Sequence, residues 1–263
     1  MKTCSVRLIK TMRITIIALC FVLFGIICLV GNLFFIPLIA LRLHRFAPIK
    51  NLSRDIVCFS WRFFLVCAKM LGVIDCTYSG FEKINSHDLS KQARIFIANH
   101  PSLLDVVLII AQIRRINCVV KADLCKNLFL FAAIKASGYI PNTANEILLE
   151  KSLSALKKGE SLLIFPEGTR TKNSIIFHKA ASYIAINGAK SLAVIFIKMH
   201  PKALKKGEKW YDTPRETLRY SVIMHDIWDL QYFAQGKATP LRVRKLHSTL
   251  SDIYKEEFDG FSR

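Results

Sequence analysis

The eight cysteines of this 263-residue chain include no C-x-x-C pair and no Cys/His cluster at zinc spacing. That lack excludes a thioredoxin-like redox motif and a structural zinc site. Cys4, Cys20, Cys28, Cys58, Cys67, Cys76, Cys118 and Cys125 lie scattered, several of them inside apolar stretches. They read as reduced, mostly buried small hydrophobes, so the globular part is expected in a reducing, cytosolic setting. No internal repeat occurs and no Pro/Gly/Ser-rich linker divides the chain, which leaves one domain with an extension. Apolar residues make up 52%, which excludes a disordered or low-complexity chain. Acidic residues are scarce: 19 stand against 38 basic ones, a net charge of +19. Such an excess calls for an anionic partner, and nucleic acid and anionic lipid both qualify.

Charge is missing altogether between Ile14 and Leu41, a run of 28 residues. As one helix it extends about 42 Å, against a hydrocarbon core of about 30 Å. Gly25, Gly31, Asn32 and Pro37 lie inside it, so a bent, re-entrant helix pair is as admissible as one tilted span. Lys2, Arg7, Lys10 and Arg13 precede the run, and Arg42, Arg45 and Lys50 follow it. Basic flanks on both sides give a single crossing no orientation and suit a re-entrant pair with both ends at the cytoplasmic face. A cleavable signal peptide needs an apolar region of about 7–15 residues and a small-x-small site. Ala40-Leu41-Arg42 does not supply one. From Asp55 to Leu71, Trp61, Phe63, Phe64, Leu65 and Val66 lie among Arg54, Arg62 and Lys69. That composition suits a helix lying in a membrane interface or a core helix of the domain, and periodicity leaves both open. Residues 1–72 are thus read as a membrane-anchoring helical segment and 73–263 as the globular domain with a basic C-terminal part.

After Gly72 short apolar runs alternate with longer helical patterns. Strands are expected at Asp75–Ser79, Arg94–Ala98, Asn117–Val120, Ser161–Phe165, Leu192–Lys198 and Arg219–Met224. Helices are expected at Ser102–Ile113, Asp123–Ser137, Ala144–Lys158 and His178–Asn187, the third closed by Gly159. This order predicts an α/β fold, a central mostly parallel or mixed sheet flanked by helices, behind an N-terminal membrane-embedded helix or re-entrant helix pair.

Two strand-to-helix junctions carry unusual chemistry, and such junctions are where open α/β sheets collect functional groups. The first reads Asn99-His100-Pro101-Ser102-Leu103-Leu104-Asp105. Ser102 and Asp105 have the S-x-x-D spacing of a capping box, which gives Asp105 a structural role. With His100 in the turn and Asp105 in the first helical turn, the carboxylate also reaches back to the imidazole, making the base half of a hydrolase or transferase triad. No G-x-S-x-G supplies a nucleophile, so the dyad would activate a hydroxyl or water brought by the substrate. The second junction reads Pro166-Glu167-Gly168-Thr169-Arg170. Pro and Gly two apart suit a type I turn. A turn needs neither the acid nor the arginine, and Gly168 with Arg170 suits approach to a phosphate.

NHPSLLD and FPEGTR resemble the N-H-x-x-x-x-D and F-P-E-G-T-R motifs of the glycerolipid acyltransferase family, which includes 1-acyl-glycerol-3-phosphate and other lysophospholipid acyltransferases. The likeness covers roughly residues 75–200. It implies an α/β domain docked on a membrane by N-terminal helices, with His100 as general base and Asp105 as its orienting partner. Glu167, Gly168, Thr169 and Arg170 then belong to the acceptor and phosphate-binding motif, with Asn99, Lys121 and Lys179 as accessory candidates. The implied reaction is attack of a lysolipid hydroxyl on an acyl thioester, acyl-CoA or acyl-acyl carrier protein, with no bound cofactor, metal or covalent acyl-enzyme. A further family segment, G-x-I-x-x-x-R, finds Gly138 and Ile140 but Ala144 where the arginine is expected. The V-P-V segment reads Leu192-Ala193-Val194, and a common glycine is Ala180 beside Lys179. The stretches CVVKADL, SGYIPN and KGEKWY resemble a bacterial branch, some of whose members accompany aryl polyene or other specialised lipid synthesis. That keeps a non-phosphatidate acceptor open, and the implied location is the cytoplasmic side of a bacterial inner membrane. A catalytically silent lipid-binding protein on the same scaffold is the alternative from another class.

The last quarter gathers Lys202, Lys205, Lys206, Lys209, Arg215, Arg219, Lys237, Arg242, Arg244 and Lys245 with Trp210, Tyr211, Trp228, Tyr232 and Phe233. A nucleic-acid surface has a similar composition. Beside a membrane segment, attraction to anionic lipid at about 1 kcal/mol per basic residue is the more economical reading, and nucleic acid is not expected as a partner. An acidic acyl carrier protein is a third use of the charge.

Overall fold

Arg94–Ala98 buries five consecutive residues, which a strand achieves only where both faces of its sheet are covered. The computed structural model, which describes residues 2–85, 93–171, 175–204, 207–208, 214 and 216–259, covers them with helices. The chain runs α1 (Lys2–Ala40), a 3-10 turn (Leu43–Arg45), α2 (Ala47–Met70), β1 (Ile74–Ser79), α3 (Glu82–Asn85), β2 (Arg94–Ala98) and α4 (Asp105–Ile110). It continues through β3 (Asn117–Lys121), a 3-10 turn (Ala122–Lys126), α5 (Phe131–Ser137), β4 (Ile140–Asn142), α6 (Asn145–Lys157) and β5 (Leu162–Ile164). It ends with α7 (Lys179–Gly188), β6 (Ser191–His200), β7 (Leu218–Asp229) and α8 (Thr239–Asp259).

The seven strands form one sheet in the order β1-β7-β6-β2-β5-β3-β4. The five from β6 to β4 are mutually parallel, β7 is antiparallel to β6, and β1 runs parallel to β7. The sheet is therefore mixed with a parallel middle. Because side chains alternate along a strand, Phe96 and Ala98 pack with α1, α2, α4 and α5 on one face, and Ile95 and Ile97 with α6, α7 and α8 on the other. Each fully buried Ile or Phe contributes about 1.5–3 kcal/mol of transfer free energy.

The six expected strands are present, with small differences at their ends. β4 is an addition: it is three residues long, contains Pro141 and lies at the sheet edge, where proline is tolerated and the pattern is too short to read. α4 begins three residues later than expected. The Asp105 carboxylate accepts the Ser102 N–H and O–H, so residues 102–104 form a tight turn and Leu104 becomes the N-cap without a side-chain cap bond. The expected helix Asp123–Ser137 is split. Asn127 is extended, its Oδ1 accepts the Phe129 N–H, and its carbonyl accepts the Phe131 N–H, so the asparagine ends one turn and starts the next helix. Gly159, at φ 82°, closes α6 as expected: its N–H reaches the Leu156 carbonyl, and the Glu160 N–H reaches that of Ala155. α8 falls where the sequence offered only charge and aromatics. Lys205, Lys206, Lys209, Trp210, Tyr211 and Arg215 lie outside the described residues.

α1 is one unbroken helix through Gly25, Gly31, Asn32 and Pro37, so the run does not fold back into the re-entrant helix pair admitted by the sequence. Its stretch Thr11–Ala40 is long and apolar enough to cross a membrane. One face packs on the domain through Ile17, Cys20, Cys28 and Phe35, and Phe24 stacks on Trp61 of α2 with ring centroids 5.1 Å apart. Asn32 donates to the Leu128 carbonyl at 2.8 Å. α2 packs as a core helix on one face and leaves the opposite face uncovered. Val57, Trp61, Phe64, Leu65 and Ala68 are buried, while Leu52, Phe59, Phe63, Val66 and Met70 form an exposed apolar stripe opposite. Cys20, Cys28, Cys58, Cys67, Cys76, Cys118 and Cys125 are free thiols.

Candidate active site

The carboxyl ends of β2 and β5 are neighbours in the sheet, so the two junctions marked by the sequence meet. His100 Nδ1 lies 2.7 Å from Asp105 Oδ2. The Asp105 carboxylate is fully buried and accepts from the Ser102 N–H at 2.7 Å and the Ser102 O–H at 2.6 Å. A carboxylate with this set of donors acts as an acceptor toward the imidazole, so the hydrogen sits on Nδ1 and Nε2 carries the lone pair. That is the tautomer a general base requires. Phe165 packs against the imidazole with ring centroids 4.5 Å apart.

The main chain of His100 is held from the other junction. Its N–H donates to Glu167 Oε1 at 2.8 Å, and its carbonyl accepts the Thr171 N–H at 2.7 Å. Thr171 Oγ1 also donates to Glu167 Oε2 at 2.6 Å. Both oxygens of Glu167 are therefore engaged in holding the His100 and Thr171 segments together. Burial pushes its carboxyl above the ordinary value, against the pull of the Thr171 and His100 hydrogen bonds. The Gly168 N–H returns to the Phe165 carbonyl at 3.0 Å, closing the turn expected from Pro166 and Gly168. At φ 64° a side chain there would be strained.

Asn99 ties β2 to β6 with a pair of bonds, donating to the Ile197 carbonyl and accepting its N–H at 2.9 and 2.8 Å. Arg170 Nη1 donates to the Leu204 carbonyl at 2.8 Å, so this side chain bridges to the loop after β6. Thr169 is exposed. Lys121, the last residue of β3, is exposed and paired with Asp123. Lys179 is exposed at the start of α7, and Ala144 is the N-cap of α6 with no side-chain cap bond. The sequence reading did not find Thr171 or Tyr220, whose O–H donates to Ser102 Oγ at 3.1 Å. Thr171 stands one residue past FPEGTR; Tyr220 carries no sequence signal. Among the described residues no group of acidic, His and Cys side chains could hold a metal ion.

An imidazole oriented by a carboxylate, with no serine or cysteine hydrogen-bonded to Nε2 among the described residues, suits transfer to a hydroxyl brought by the substrate. The acyltransferase family model matches residues 76–213, over half of the chain. The chain belongs to the acyltransferase family. The matched segment contains both junctions of this acyltransferase. Its fold is similar to the crystal structure of the 1-acyl-sn-glycerophosphate (LPA) acyltransferase PlsC from Thermotoga maritima. The TM-score is 0.61 at 22% sequence identity, covering 90% of this chain and 95% of that one. No curated protein matches the acyltransferase in sequence.

Proposed function

We propose that this acyltransferase moves a fatty acyl group from an acyl thioester to the free hydroxyl of a lysophospholipid such as 1-acyl-glycerol-3-phosphate, at a membrane surface. The observation that carries the reading is His100, held by Asp105 through its side chain and by Glu167 and Thr171 through its main chain. Nε2 takes the proton of the acceptor hydroxyl as its oxygen attacks the thioester carbonyl. The tetrahedral intermediate collapses, the C–S bond breaks, and the imidazolium returns the proton to the departing thiolate of coenzyme A or an acyl carrier protein. Atoms and charge balance without a covalent acyl-enzyme.

The exposed apolar faces of α1 and α2 supply a surface for lipid, and the +19 net charge favours an anionic one. The corresponding location is the cytoplasmic side of a bacterial inner membrane. Arg170 is the phosphate contact in this reading, joined by Lys121 or Lys179. Ala144 in place of the family arginine favours a second reading of the acceptor, a head group with less charge than a phosphomonoester, as in specialised lipid synthesis.

A panel of lysolipids, assayed in detergent with acyl-CoA and acyl-carrier donors, tests both readings. With one cation fewer, lysophosphatidic acid is expected to hold no large kcat/KM advantage over a phosphodiester lysolipid. Arg170→Lys, which replaces a planar fork by a point charge, is expected to raise KM for the acceptor and spare that for the thioester. A strong lysophosphatidate preference would assign the missing contact to another base, and turnover of no lysolipid would remove the proposal.

A further inference from the structure

One oxygen of Asp105 faces the imidazole and the other faces Ser102. Ser102 is fully buried, and a hydroxyl has one hydrogen and two lone pairs. The Leu104 N–H takes one lone pair at 3.2 Å, and the Tyr220 O–H takes the other at 3.1 Å. With both occupied, the Ser102 hydrogen goes to Asp105 Oδ1, 2.6 Å away. Tyr220 is buried in β7, 118 positions along the chain and outside the segment that matches the family.

We propose that Tyr220 is a positioning residue for acyl transfer, setting the direction of the hydrogen-bond chain Tyr220 to Ser102 to Asp105 to His100. The chain keeps Asp105 an acceptor on both oxygens and the His100 hydrogen on Nδ1, and so presents the Nε2 lone pair to the acceptor hydroxyl. It rests on the reading of His100 as base. Burial raises the Tyr220 phenol's ionisation well above its ordinary value, so the group remains a donor throughout the working range. The other titratable groups at the chain are Cys76 of β1, which acts on Tyr220, and Glu167 of the β5 turn, which meets His100 at its main-chain N–H.

Tyr220→Phe, Ser102→Ala, the double variant and His100→Ala are to be assayed as full-length protein in detergent, with oleoyl-CoA and the lysolipid that the wild type turns over fastest. Tyr220→Phe is expected to lower kcat roughly 5–10-fold, with both KM values within about twofold. The acid limb of kcat/KM should move upward by a few tenths of a pH unit, because a carboxylate with weaker hydrogen bonds holds the imidazolium more strongly. Ser102→Ala should lower kcat further, and adding Tyr220→Phe to it should change nothing more, since Tyr220 acts through Ser102. Independent losses in the double variant overturn the chain, as does a lowered melting temperature with kcat per folded molecule unchanged. Should Tyr220→Phe not fold, Ser102→Ala decides alone: wild-type kcat with an unmoved acid limb overturns the proposal. His100→Ala that keeps turnover removes the base reading itself, whereas an inactive His100→Ala beside wild-type-like Tyr220→Phe and Ser102→Ala removes only the chain.

Discussion

His100 is fixed at its Nδ1, its N–H and its carbonyl by groups from two strand ends, so what remains for it to lose is the chemistry at Nε2. His100→Ala should therefore lower kcat by on the order of 10²–10⁴ while leaving the fold intact. Asp105→Asn should cost less, because an amide still accepts a hydrogen bond while failing to stabilise the imidazolium. Kinetics on protein shown folded by circular dichroism checks both; near-normal turnover by His100→Ala would sink the mechanism. These two residues were legible because they are five apart at a strand end, a spacing one chain segment can close. The partnership of Ser102 with Asp105 was legible as well, since the S-x-x-D signal and the His100 contact share the Asp105 carboxylate. The Glu167 carboxylate was legible as unusual, but its engagement with the His100 N–H was not. That contact spans 67 positions and exists only because β2 and β5 pair.

Among the elements, α2 shows how polar residues mislead a reading made by composition. Arg54 and Arg62, which resemble head-group anchors in sequence, turn inward. Arg54 donates to the Ser137 carbonyl at 2.8 Å and to Glu160 Oε2 at 2.6 Å, and Arg62 donates to the Ala111 carbonyl. They satisfy carbonyls at the C-terminal ends of α5 and α4, which have no partner within their own helices. Glu160 also accepts from Asn117 at 2.8 Å and faces Lys50 at 3.6 Å. Burial pushes its carboxyl up, and the Arg54 charge and hydrogen bond with Lys50 and Asn117 outweigh that, holding it below the ordinary value. A carboxyl depressed in the fold contributes stability above its unfolded value, about 4.3, and loses it as pH falls through the folded value. Glu160→Gln should thus cost roughly 2–3 kcal/mol at pH 7, and the gap to wild type should close as pH falls below the ordinary carboxylate value and through the lower folded one. Thermal melts across this range decide it; a gap that does not depend on pH would mean the pair is not ionic. The split at Asn127 and the short edge strand β4 escaped the sequence for a related reason. A side-chain turn and a three-residue pairing are set by neighbours, while hydrophobic period needs longer runs to register.

At the scale of the whole molecule, α1 and α2 divide their surfaces between the protein core and the outside. Ile17, Cys20, Cys28 and Phe35 of α1 belong to the same apolar cluster as Trp61, Phe64 and the inner face of the sheet. Removal of residues 1–45 should accordingly expose that cluster and lower the melting temperature as well as loosen the protein from lipid. The proposed membrane face is the opposite one, where Phe63 is 57% and Met70 82% exposed. Burying such a side chain in lipid is worth about 1.5–3 kcal/mol, so the stripe adds to whatever α1 contributes, without any change in the fold. A fluorophore placed by Phe63→Cys or Met70→Cys, with Cys4 and half-buried Cys67, Cys76 and Cys125 replaced, should be quenched by brominated lipid in nanodiscs. The same label at exposed Arg244 of α8 serves as the control expected to stay bright, because α8 packs on the far face of the sheet. Trp61→Ala separates core from surface: it should lower stability by about 3 kcal/mol or more through the cavity it leaves. Unquenched labels at both α2 positions would show that the apolar stripe faces something other than lipid, and the membrane would then have to be met by α1 alone.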